Sequence, residues 1–407
     1  MGRRLPDYRK VVGDQAIAEI YRKARKLYGT RFLHINSTYY GGGVAEILRS
    51  FVPLLNDAGI RADWRIIPGS PDFFDTTKKF HNALQGDGIN MTKIKKELYI
   101  RTNQDFASYC TVEHDFVIIH DPQPLPLISF YRKNQPWFWR CHVDLSAPNK
   151  ELWDFLKGFI LRYDVVIVSS EDYKSPDLPV EQKIIHPAID PLSPKNMDLD
   201  DATIAKYLRK FRIPMDKPII LQVSRFDKWK DPEGVLEIFS KVKEEVDCRL
   251  ILCGSMALDD PEGVEIYNRV RRKVDEICKD NPDCKRSVIL ITSENNILVN
   301  ILQRISAVVI QKSLREGFGL SVTEALWKGK PVVASRVGGI PIQIVDGETG
   351  FLLDPYDYDG FAKKIIEIIK NPDMAREVGA KAKEYVRERF LITRLIVDYL
   401  DLLNEML

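Results

Sequence analysis

The 407-residue sequence lacks a strong charge of either sign, a long apolar run and closely paired cysteines. Its 60 basic and 58 acidic residues leave a formal net charge of +2, so the basic face that binds nucleic acid is not expected. No apolar run approaches the ~20 residues that a membrane span requires. The first ten residues, MGRRLPDYRK, lack the apolar core of a signal peptide. These absences predict a cytoplasmic protein with no nucleic-acid partner and no stable membrane association.

None of the six cysteines belongs to a CxxC pair, so a structural zinc site is not expected. Cys141, Cys248 and Cys253 lie in or beside apolar runs and are predicted to be buried thiols. Cys278 and Cys284 flank a polar turn. A cytosolic disulfide at that turn is more compatible with a thermophilic source than with a mesophilic one. The many Lys and Glu residues favour a thermophile.

Strand-like runs alternate with helix-like stretches twice along the chain. Several runs are apolar throughout, which is typical of parallel strands covered on both faces. The strands are predicted at residues 32–36, 64–67, 116–120, 137–143, 165–170, 219–224, 250–254, 288–292, 307–311 and 331–335. Between the runs, helical spacing of apolar residues such as Val44, Ile47, Leu48 and Phe51 predicts amphipathic helices. The pattern predicts an α/β protein with two doubly wound domains.

The domain border is expected in the linker-like stretch before the second set of strands. We assign residues 1–205 to an N-terminal Rossmann-like acceptor domain and residues 206–387 to a C-terminal donor-nucleotide domain. Residues 388–407 are assigned to a helix that crosses back to the first domain. Ligands of open α/β sheets bind beyond the carboxyl ends of the strands, so functional residues are expected directly after strands.

Three consecutive glycines, Gly41, Gly42 and Gly43, follow the first strand and open directly into a helix. Glycine permits positive φ and close approach of a ligand, and a helix N-terminus favours an anion. A ligand-free tight turn is the alternative, but three glycines cost more backbone entropy than a turn needs. The third glycine of a GxGxxG dinucleotide motif is missing, which argues against a nicotinamide-dependent dehydrogenase.

Two cations, Arg225 and Lys230, follow the first strand of the second domain. Arginine makes planar bidentate contacts and lysine adds a compact charge, so the two residues could hold one diphosphate together. Taken alone, the segment is equally compatible with a solvated charged loop.

The segment REGFGLSVTE at residues 315–324 is the most specific motif. Gly317 and Gly319 expose backbone N–H groups on which a phosphate could lie. Carboxylates accept hydrogen bonds from sugar hydroxyls, and Glu316 and Glu324 suit two sugar rings. An ordinary acidic helix start is the alternative interpretation.

His142 is predicted to end the strand at 137–143, with Asp144 two residues later. Residues two apart in a strand point to the same face. A histidine at a strand end can donate to a sugar hydroxyl or stabilise developing charge. A buried structural histidine is the alternative, and the neighbouring motifs favour the functional interpretation.

In combination, these motifs resemble the retaining glycosyltransferases of the GT-B fold. Glu316 and Glu324 have the spacing of that family's E-x7-E motif, and Arg225 and Lys230 match its Arg…Lys diphosphate pair. The segment at residues 332–353 and the triple glycine are also similar. The segments HINSTYYGGGVAEIL, HDPQPLPLI, PWFWRCHVDLSAPN and SRFDKWK resemble the glycosyltransferring trehalose synthases of this fold.

The resemblance implies two Rossmann-like domains facing an interdomain cleft. It also implies a reversible, retaining transfer of glucose from a nucleoside diphosphate glucose to free glucose, giving trehalose. No obligatory cofactor and no metal ligand are implied, although Mg²⁺ could accompany the donor diphosphate. The expected partners are the two sugar substrates, and a homodimer is left open.

The resemblance further implies a role for each matching residue. Arg225 and Lys230 would neutralise the leaving diphosphate, and Glu316 would hold the transferred glucose near its reacting face. His142 would contact the glucose 6-hydroxyl or support the cationic ring, and Glu324 would bind the ribose. The other expected donor-binding residues are Gly42, Gly43, Ser224, Gly254, Asn295, Gly317, Phe318, Gly319, Leu320 and Ser321. The expected acceptor-binding residues are Asn36, Ser37, Gly41 and Asp144.

Two residues depart from the family pattern. Ser224 and Asp231 stand where the family commonly has glycine, before the arginine and after the lysine of the diphosphate pair. Asp231 puts an acid beside Lys230 and leaves the path of the loop open.

Several alternatives also remain open at this point. They are another acceptor (a sugar phosphate, a glycan or a lipid), a sugar-nucleotide epimerase and a catalytically silent sugar sensor. The mechanism could be front-face transfer or double displacement with Glu316 as nucleophile.

Overall fold

The computed structural model describes residues 3–254, 261–279 and 282–407. Within these residues the chain forms two six-stranded parallel sheets, each surrounded by helices. The chain divides into two compact units. Unit 1 comprises Met1–Asp190 and Phe390–Leu407, and unit 2 comprises Pro191–Arg389. Two Rossmann-like α/β domains were predicted from the sequence, and this part of the fold assignment is confirmed.

Unit 1 has the strand order β2-β1-β3-β4-β5-β6. The strands are β1 Arg31–Asn36, β2 Arg61–Ile66, β3 Phe116–His120, β4 Trp137–Arg140, β5 Val165–Val168 and β6 Glu181–Ile184. The helices are α1 Arg9–Ala24, α2 Gly43–Asp57, α3 Pro71–Leu84, α4 Lys93–Tyr109, α5 Lys150–Ile160 and the C-terminal α15 Ile392–Glu405. Strands β3, β4 and β5 are buried at every position, as expected for a covered parallel sheet. The connections reverse direction between β1 and β3, which is the switch point where α/β sheets bind ligands.

Unit 2 has the strand order β12-β11-β10-β7-β8-β9. The strands are β7 Ile219–Val223, β8 Arg249–Cys253, β9 Val288–Ile291, β10 Val308–Gln311, β11 Val332–Ser335 and β12 Phe351–Leu353. The helices are α6 Asp201–Lys210, α7 Pro232–Glu245, α8 Pro261–Ile277, α9 Pro282–Ser287, α10 Asn296–Ile305, α11 Leu320–Trp327, α12 Ile340–Gln343, α13 Tyr358–Lys370 and α14 Pro372–Arg389. The switch point lies between the paired strands β7 and β10.

The C-terminal helix α15 packs within unit 1. The Tyr399 ring centroid lies 4.9 Å from that of Phe51 and 6.4 Å from that of Phe32. Lys23 on α1 forms an ion pair with Asp401, 2.5 Å between Nζ and Oδ1. Because residues 390–407 return to the first sheet, unit 1 is built from two separate stretches of chain.

The structure differs from the sequence analysis at several element borders. The chain divides after Asp190 and after Arg389, where the sequence placed borders at 205 and 387. Strands β6 and β12 were not predicted. Strand β6 is partly exposed along its length, and β12 has three residues, so neither has a strong apolar run. Cys278 and Cys284 form the disulfide that the sequence left open.

The predicted burial of Cys141, Cys248 and Cys253 is confirmed. All three lie inside or beside buried strands, where burial raises the pKa of the Cys253 thiol to about 12. Thiols held protonated in this way behave as small apolar side chains.

Candidate active site

The loops that follow β7 and β10 lie side by side at the switch point of unit 2. The Leu314 N–H donates to the Trp229 carbonyl oxygen over 2.7 Å, which joins the two loops through their backbones. Lys230 on the first loop reaches Glu316 on the second, with 2.5 Å between Nζ and Oε2. The structure therefore brings together two of the four predicted catalytic residues.

Glu316 is held by several donors in a largely buried position. Its side chain is 10% exposed, and its Oε2 accepts from the Ser313 hydroxyl over 3.2 Å and from the Gln311 amide over 3.5 Å. A Cβ at Gly319 would lie 3.2 Å from the Glu316 Cγ, and Gly319 has a φ of +90°. The motif therefore needs glycine at position 319 for its backbone conformation and for the space that Glu316 occupies.

Helix α11 begins at Leu320, with Gly319 as its N-cap residue. The Ser321 hydroxyl donates to the Gln311 Oε1 over 3.1 Å, so its oxygen is tied to the end of β10. The backbone N–H groups of the first helical turn remain the donors that an anion could contact at this point.

Two residues that the sequence analysis did not single out shape this loop from the other side. A Cβ at Gly339 would lie 2.7 Å from both the Gly317 carbonyl oxygen and the Phe318 Cα, so only glycine fits there. The Gly339 N–H donates to the Glu316 carbonyl oxygen over 3.2 Å. The Gln343 amide donates to the Phe318 carbonyl oxygen. Gly339 and the buried amide of Gln343 therefore fix the backbone of the predicted donor loop.

Glu324 lies inside unit 2, fully buried. Its Oε1 is 2.8 Å from the Lys195 Nζ, and its Oε2 accepts from the Gln303 amide over 3.4 Å. Lys195 belongs to a segment that the sequence analysis treated as a linker, so it was missed. The predicted ribose contact requires that Lys195 share or release this carboxylate.

The other predicted donor residues of unit 2 lie at strand ends. The Arg225 side chain is 41% exposed, and its Nη2 is 3.5 Å from the Asp227 Oδ2. A Cβ at Gly254 would collide with the Ser224 carbonyl oxygen, so β8 can end beside β7 only with glycine there. The Asn295 Oδ1 accepts a hydrogen bond from the Leu298 N–H over 2.9 Å and caps α10.

Three histidines form a hydrogen-bonded column across β1, β3 and the end of β4 in unit 1. The His34 Nδ1 lies 3.1 Å from the His120 Nε2, and the His120 Nδ1 lies 3.1 Å from the His142 Nε2. Successive ring centroids are 5.4 Å apart and the rings are nearly parallel. Burial lowers the pKa of His34 to about 3 and holds the pKa of His120 and His142 well below the usual value. The column is therefore neutral at physiological pH.

A neutral imidazole has one donor and one acceptor, so both bonds of the column must run in the same direction. The His34 Nε2 is buried and has no partner among the described residues. An unpaired buried acceptor is tolerated better than an unpaired N–H. The favoured direction has His34 donating to His120 and His120 donating to His142. The Nδ1 of His142 then carries a hydrogen that can be donated to a ligand.

The predicted strand end at residue 143 is wrong, because β4 ends at Arg140. The His142 N–H leaves the sheet and donates to the Asp121 carboxylate over 2.8 Å. Asp121 has a φ of +62°, and burial raises the pKa of its carboxyl to about 6. Asp144 is buried, and its Oδ1 accepts the Ser146 N–H over 2.9 Å. The shared-face argument for His142 and Asp144 therefore fails, and Asp121 takes the orienting position.

Asn36 ends β1 with its amide already engaged. Its Oδ1 accepts from the Trp64 indole over 2.7 Å, and its Nδ2 donates to the Thr38 carbonyl oxygen over 2.8 Å. Ser37, the next residue, is partly exposed. The amide of Asn36 therefore shapes the loop in which Ser37 lies, and the predicted contact of both residues with an acceptor stays a prediction.

The predicted glycine turn precedes helix α2, which begins at Gly43. Gly41 and Gly42 have φ values of +72° and +78°, and a Cβ at either position would meet no other atom within 4 Å. Backbone conformation, and not crowding, therefore requires glycine here. Among the described residues no helix is both long enough and apolar enough to cross a membrane.

Comparison with known proteins identifies matches along the whole chain. Residues 34–175 match the model "Trehalose synthase, N-terminal domain", and residues 203–385 match "Glycosyl transferases group 1". A trehalose synthase of Pyrococcus horikoshii is 48% identical over 99% of this chain and 97% of its own. A trehalose phosphorylase of Pleurotus pulmonarius is 28% identical, covering 94% of this chain and 58% of its own.

A solved structure of similar fold is an α,α-trehalose-phosphate synthase from Burkholderia xenovorans. Its TM-score is 0.75 at 14% identity, covering 92% of this chain and all of the other. At that identity the likeness concerns the fold alone.

Proposed function

Because the chain belongs to the trehalose synthase family of GT-B glycosyltransferases, we propose that it joins glucose from a nucleoside diphosphate glucose to free glucose. The product is trehalose, the α configuration of the donor is retained, and the reaction runs in both directions. The observation that carries this proposal is the contact of 2.5 Å between Lys230 and Glu316 at the switch point of unit 2. This contact supports the proposal, because a cation suited to a diphosphate lies beside a carboxylate suited to sugar hydroxyls.

In the proposed reaction, the bond between C1 of glucose and the phosphate oxygen breaks and its electron pair leaves with the diphosphate. Arg225 and Lys230 stabilise the negative charge that develops there, because cations in a partly buried site are already oriented toward it. The acceptor hydroxyl oxygen then bonds to C1 on the same face, and its proton passes to the departing phosphate oxygen. Mg²⁺ enters this proposal only as a counterion of the donor diphosphate.

The surroundings of Glu316 favour a role in accepting hydrogen bonds from sugar hydroxyls over a role as the nucleophile. Lys230, Ser313 and Gln311 all donate toward its Oε2. Hydrogen bonds of this kind stabilise the ionised carboxylate and make it a weaker nucleophile. We therefore favour front-face transfer over double displacement.

His142 is assigned to a hydroxyl of the transferred glucose as a neutral donor. Burial is the largest cause that keeps its pKa well below 6.5, so it brings no positive charge near an oxocarbenium-like ring. The 6-hydroxyl is the contact that the family resemblance implies.

The deciding experiment incubates the protein with UDP-, ADP- and GDP-glucose and free glucose, and identifies the products by NMR. An α,α-1,1-linked disaccharide is expected, with release of the nucleoside diphosphate. A Lys230→Ala variant serves as the inactive control. Donor consumption without a new glycosidic bond would indicate an epimerase or hydrolase instead.

A second arm supplies trehalose with inorganic phosphate, because a trehalose phosphorylase is among the relatives of this chain. Glucose 1-phosphate formed in this arm, with no product in the first, would replace the proposal by phosphorolysis. Other acceptors, including glucose 6-phosphate, are tested in parallel with free glucose.

A further inference from the structure

Asp231 occupies the position where a glycine was expected from the family pattern. Its backbone is left-handed, with φ 42° and ψ 57°, which explains why glycine suits the position. Aspartate is among the few residues that tolerate this conformation. Its Oδ1 accepts the Gly234 N–H over 3.0 Å and caps α7. The loop therefore keeps the path that a glycine would allow, and gains a negative charge next to Lys230.

The Asp231 carboxylate forms an ion pair with Lys312, whose side chain is fully buried. The Lys312 ammonium also donates to the Tyr358 hydroxyl over 3.3 Å and lies 4.4 Å from the centre of that ring. A buried cation is costly unless it is paired, so Lys312 is held at this place by Asp231 and Tyr358.

Gly234 is the third residue on which this ion pair depends. A Cβ at Gly234 would lie 2.7 Å from the Lys312 Nζ and would collide with the Asp231 carboxylate. The first turn of α7 therefore has room for the ion pair because residue 234 has no side chain.

The ion pair adjoins two other contacts between the loops after β7 and β10. Trp229 accepts from the Leu314 N–H, Lys230 contacts Glu316, and Asp231 contacts Lys312. On the first loop, Lys230 therefore lies between the two residues that make the other contacts. Asp231 directly follows Lys230 in the chain, so we expect its carboxylate, once Lys312 is removed, to compete with Glu316 and with a bound diphosphate for the Lys230 ammonium.

We propose that Lys312 is a positioning residue that neutralises Asp231 and so leaves the Lys230 ammonium available to a diphosphate. The proposal rests on the proposed function for the identity of that ligand. The Lys312 side chain is fully buried and is not assigned a contact with substrate.

The test compares Lys312→Met, Asp231→Asn and the double variant, because asparagine keeps both the left-handed conformation and the cap. Binding of UDP and ADP is measured by calorimetry, and kcat and KM for donor and acceptor by product formation. Lys312→Met is expected to lose roughly tenfold or more in diphosphate affinity and in kcat, because a charge-assisted contact is diverted. The KM for glucose should stay within about twofold of wild type, since no acceptor contact changes.

Asp231→Asn is expected to keep diphosphate affinity within about threefold, because no acid then competes for Lys230, while its thermal stability falls as Lys312 loses its partner. The double variant should recover most of the affinity that Lys312→Met loses. A purely structural ion pair instead predicts similar losses of diphosphate affinity in both single variants, because either charge alone is unfavourable in the buried space.

Arg249→Met is the matched control. Arg249 pairs with Asp216 at the start of β8, 2.8 Å between Nη1 and Oδ1, with its side chain mostly buried. The Arg249→Met variant should have a lower thermal stability than the wild type and an unchanged affinity for diphosphate.

Wild-type affinity in Lys312→Met, or a double variant as impaired as that single variant, would overturn the proposal. If Lys312→Met fails to fold, Asp231→Asn and the double variant still test the proposal. Weak diphosphate binding in both of these variants would contradict the proposal. If the wild type makes no disaccharide but the affinities follow the expected order, the proposed function fails and the role of Lys312 stands.

Discussion

Unit 1 holds a column of neutral histidines at its switch point, whereas unit 2 holds paired charges at the equivalent place. In unit 1, burial keeps the His34, His120 and His142 column unprotonated. In unit 2, Lys230 contacts Glu316 and Lys312 contacts Asp231. Neutral donors recognise hydroxyl groups without favouring an anion, and paired cations can exchange a carboxylate for a phosphate. We therefore expect the same sheet architecture to support two kinds of recognition.

Removing a cation from unit 2 should have the largest effect. We expect Lys230→Ala and Arg225→Ala each to lower kcat by roughly 10³-fold, because charge on the leaving diphosphate is no longer stabilised. The measurement is initial-rate kinetics at saturating donor. Lys228→Ala is the control, since this lysine lies on the same short turn with its ammonium over the Trp229 ring. Near-wild-type turnover in both test variants would contradict the assignment of Arg225 and Lys230 to the leaving diphosphate.

Neutralising the carboxylate while keeping its shape should have the next largest effect. Glu316→Gln is expected to lower kcat by about 10- to 100-fold, because one charge-assisted acceptor is lost. Steady-state rates are compared with those of Glu348→Gln, which changes an exposed residue. Covalent trapping of a glucosyl group on Glu316 in the wild type would contradict front-face transfer.

Breaking the neutral column should have a smaller effect. His120→Phe removes both hydrogen bonds of the column, and we expect turnover to fall up to about tenfold because His142 loses its fixed tautomer. Nitrogen-15 NMR of the wild type should show the hydrogen of His142 on Nδ1. His81→Gln, outside the column, is the control. An Nε2-protonated His142 would reverse the direction that we assign.

The smallest change in turnover is expected from a change of pH. Its main effect should be on the folding stability of unit 1, whose buried histidines are neutral. A histidine with a lowered folded pKa contributes full stability above the unfolded value of about 6.5. That contribution is lost as pH falls from about 6.5 toward the folded value, because the unfolded chain takes up the proton first. For His34 the folded value is about 3. Asp121, with its pKa raised to about 6, acts in the opposite sense and stabilises the fold more as pH falls through that value.

We therefore expect wild-type stability to decline between pH 7 and pH 5, measured by urea unfolding. His34→Phe should reduce the slope by up to about 1.4 kcal/mol per pH unit, since one proton fewer is taken up on unfolding. An unchanged slope would mean that His34 does not stay neutral in the folded state while it takes up a proton on unfolding. Turnover of the wild type should show no loss from His142 protonation above pH 6.

The loops of unit 2 could be recognised from the sequence because each is contiguous and directly follows an apolar strand. Arg225 and Lys230 lie on one loop, and Glu316 on another. The column of unit 1 has no such local signal, since 86 residues separate His34 from His120 and 22 separate His120 from His142. Only the order β1-β3-β4 brings the three rings together.

The ion pairs of Lys195 with Glu324 and of Asp231 with Lys312 were missed for the same reason. The paired residues lie far apart in the sequence, and no periodicity links them. The family fold could be predicted well, because strand and helix periods are local properties. The roles of the individual site residues remain predictions.

The ion pair between Asp231 and Lys312 also constrains how this sequence can evolve. The two residues are 81 positions apart, and either charge alone is unfavourable in the closed space beside Gly234. A lineage that changes aspartate 231 to glycine should therefore lose the lysine at position 312 in nearly the same step. Relatives with glycine at the first position are expected to carry an uncharged residue at the second, so the two sites should covary.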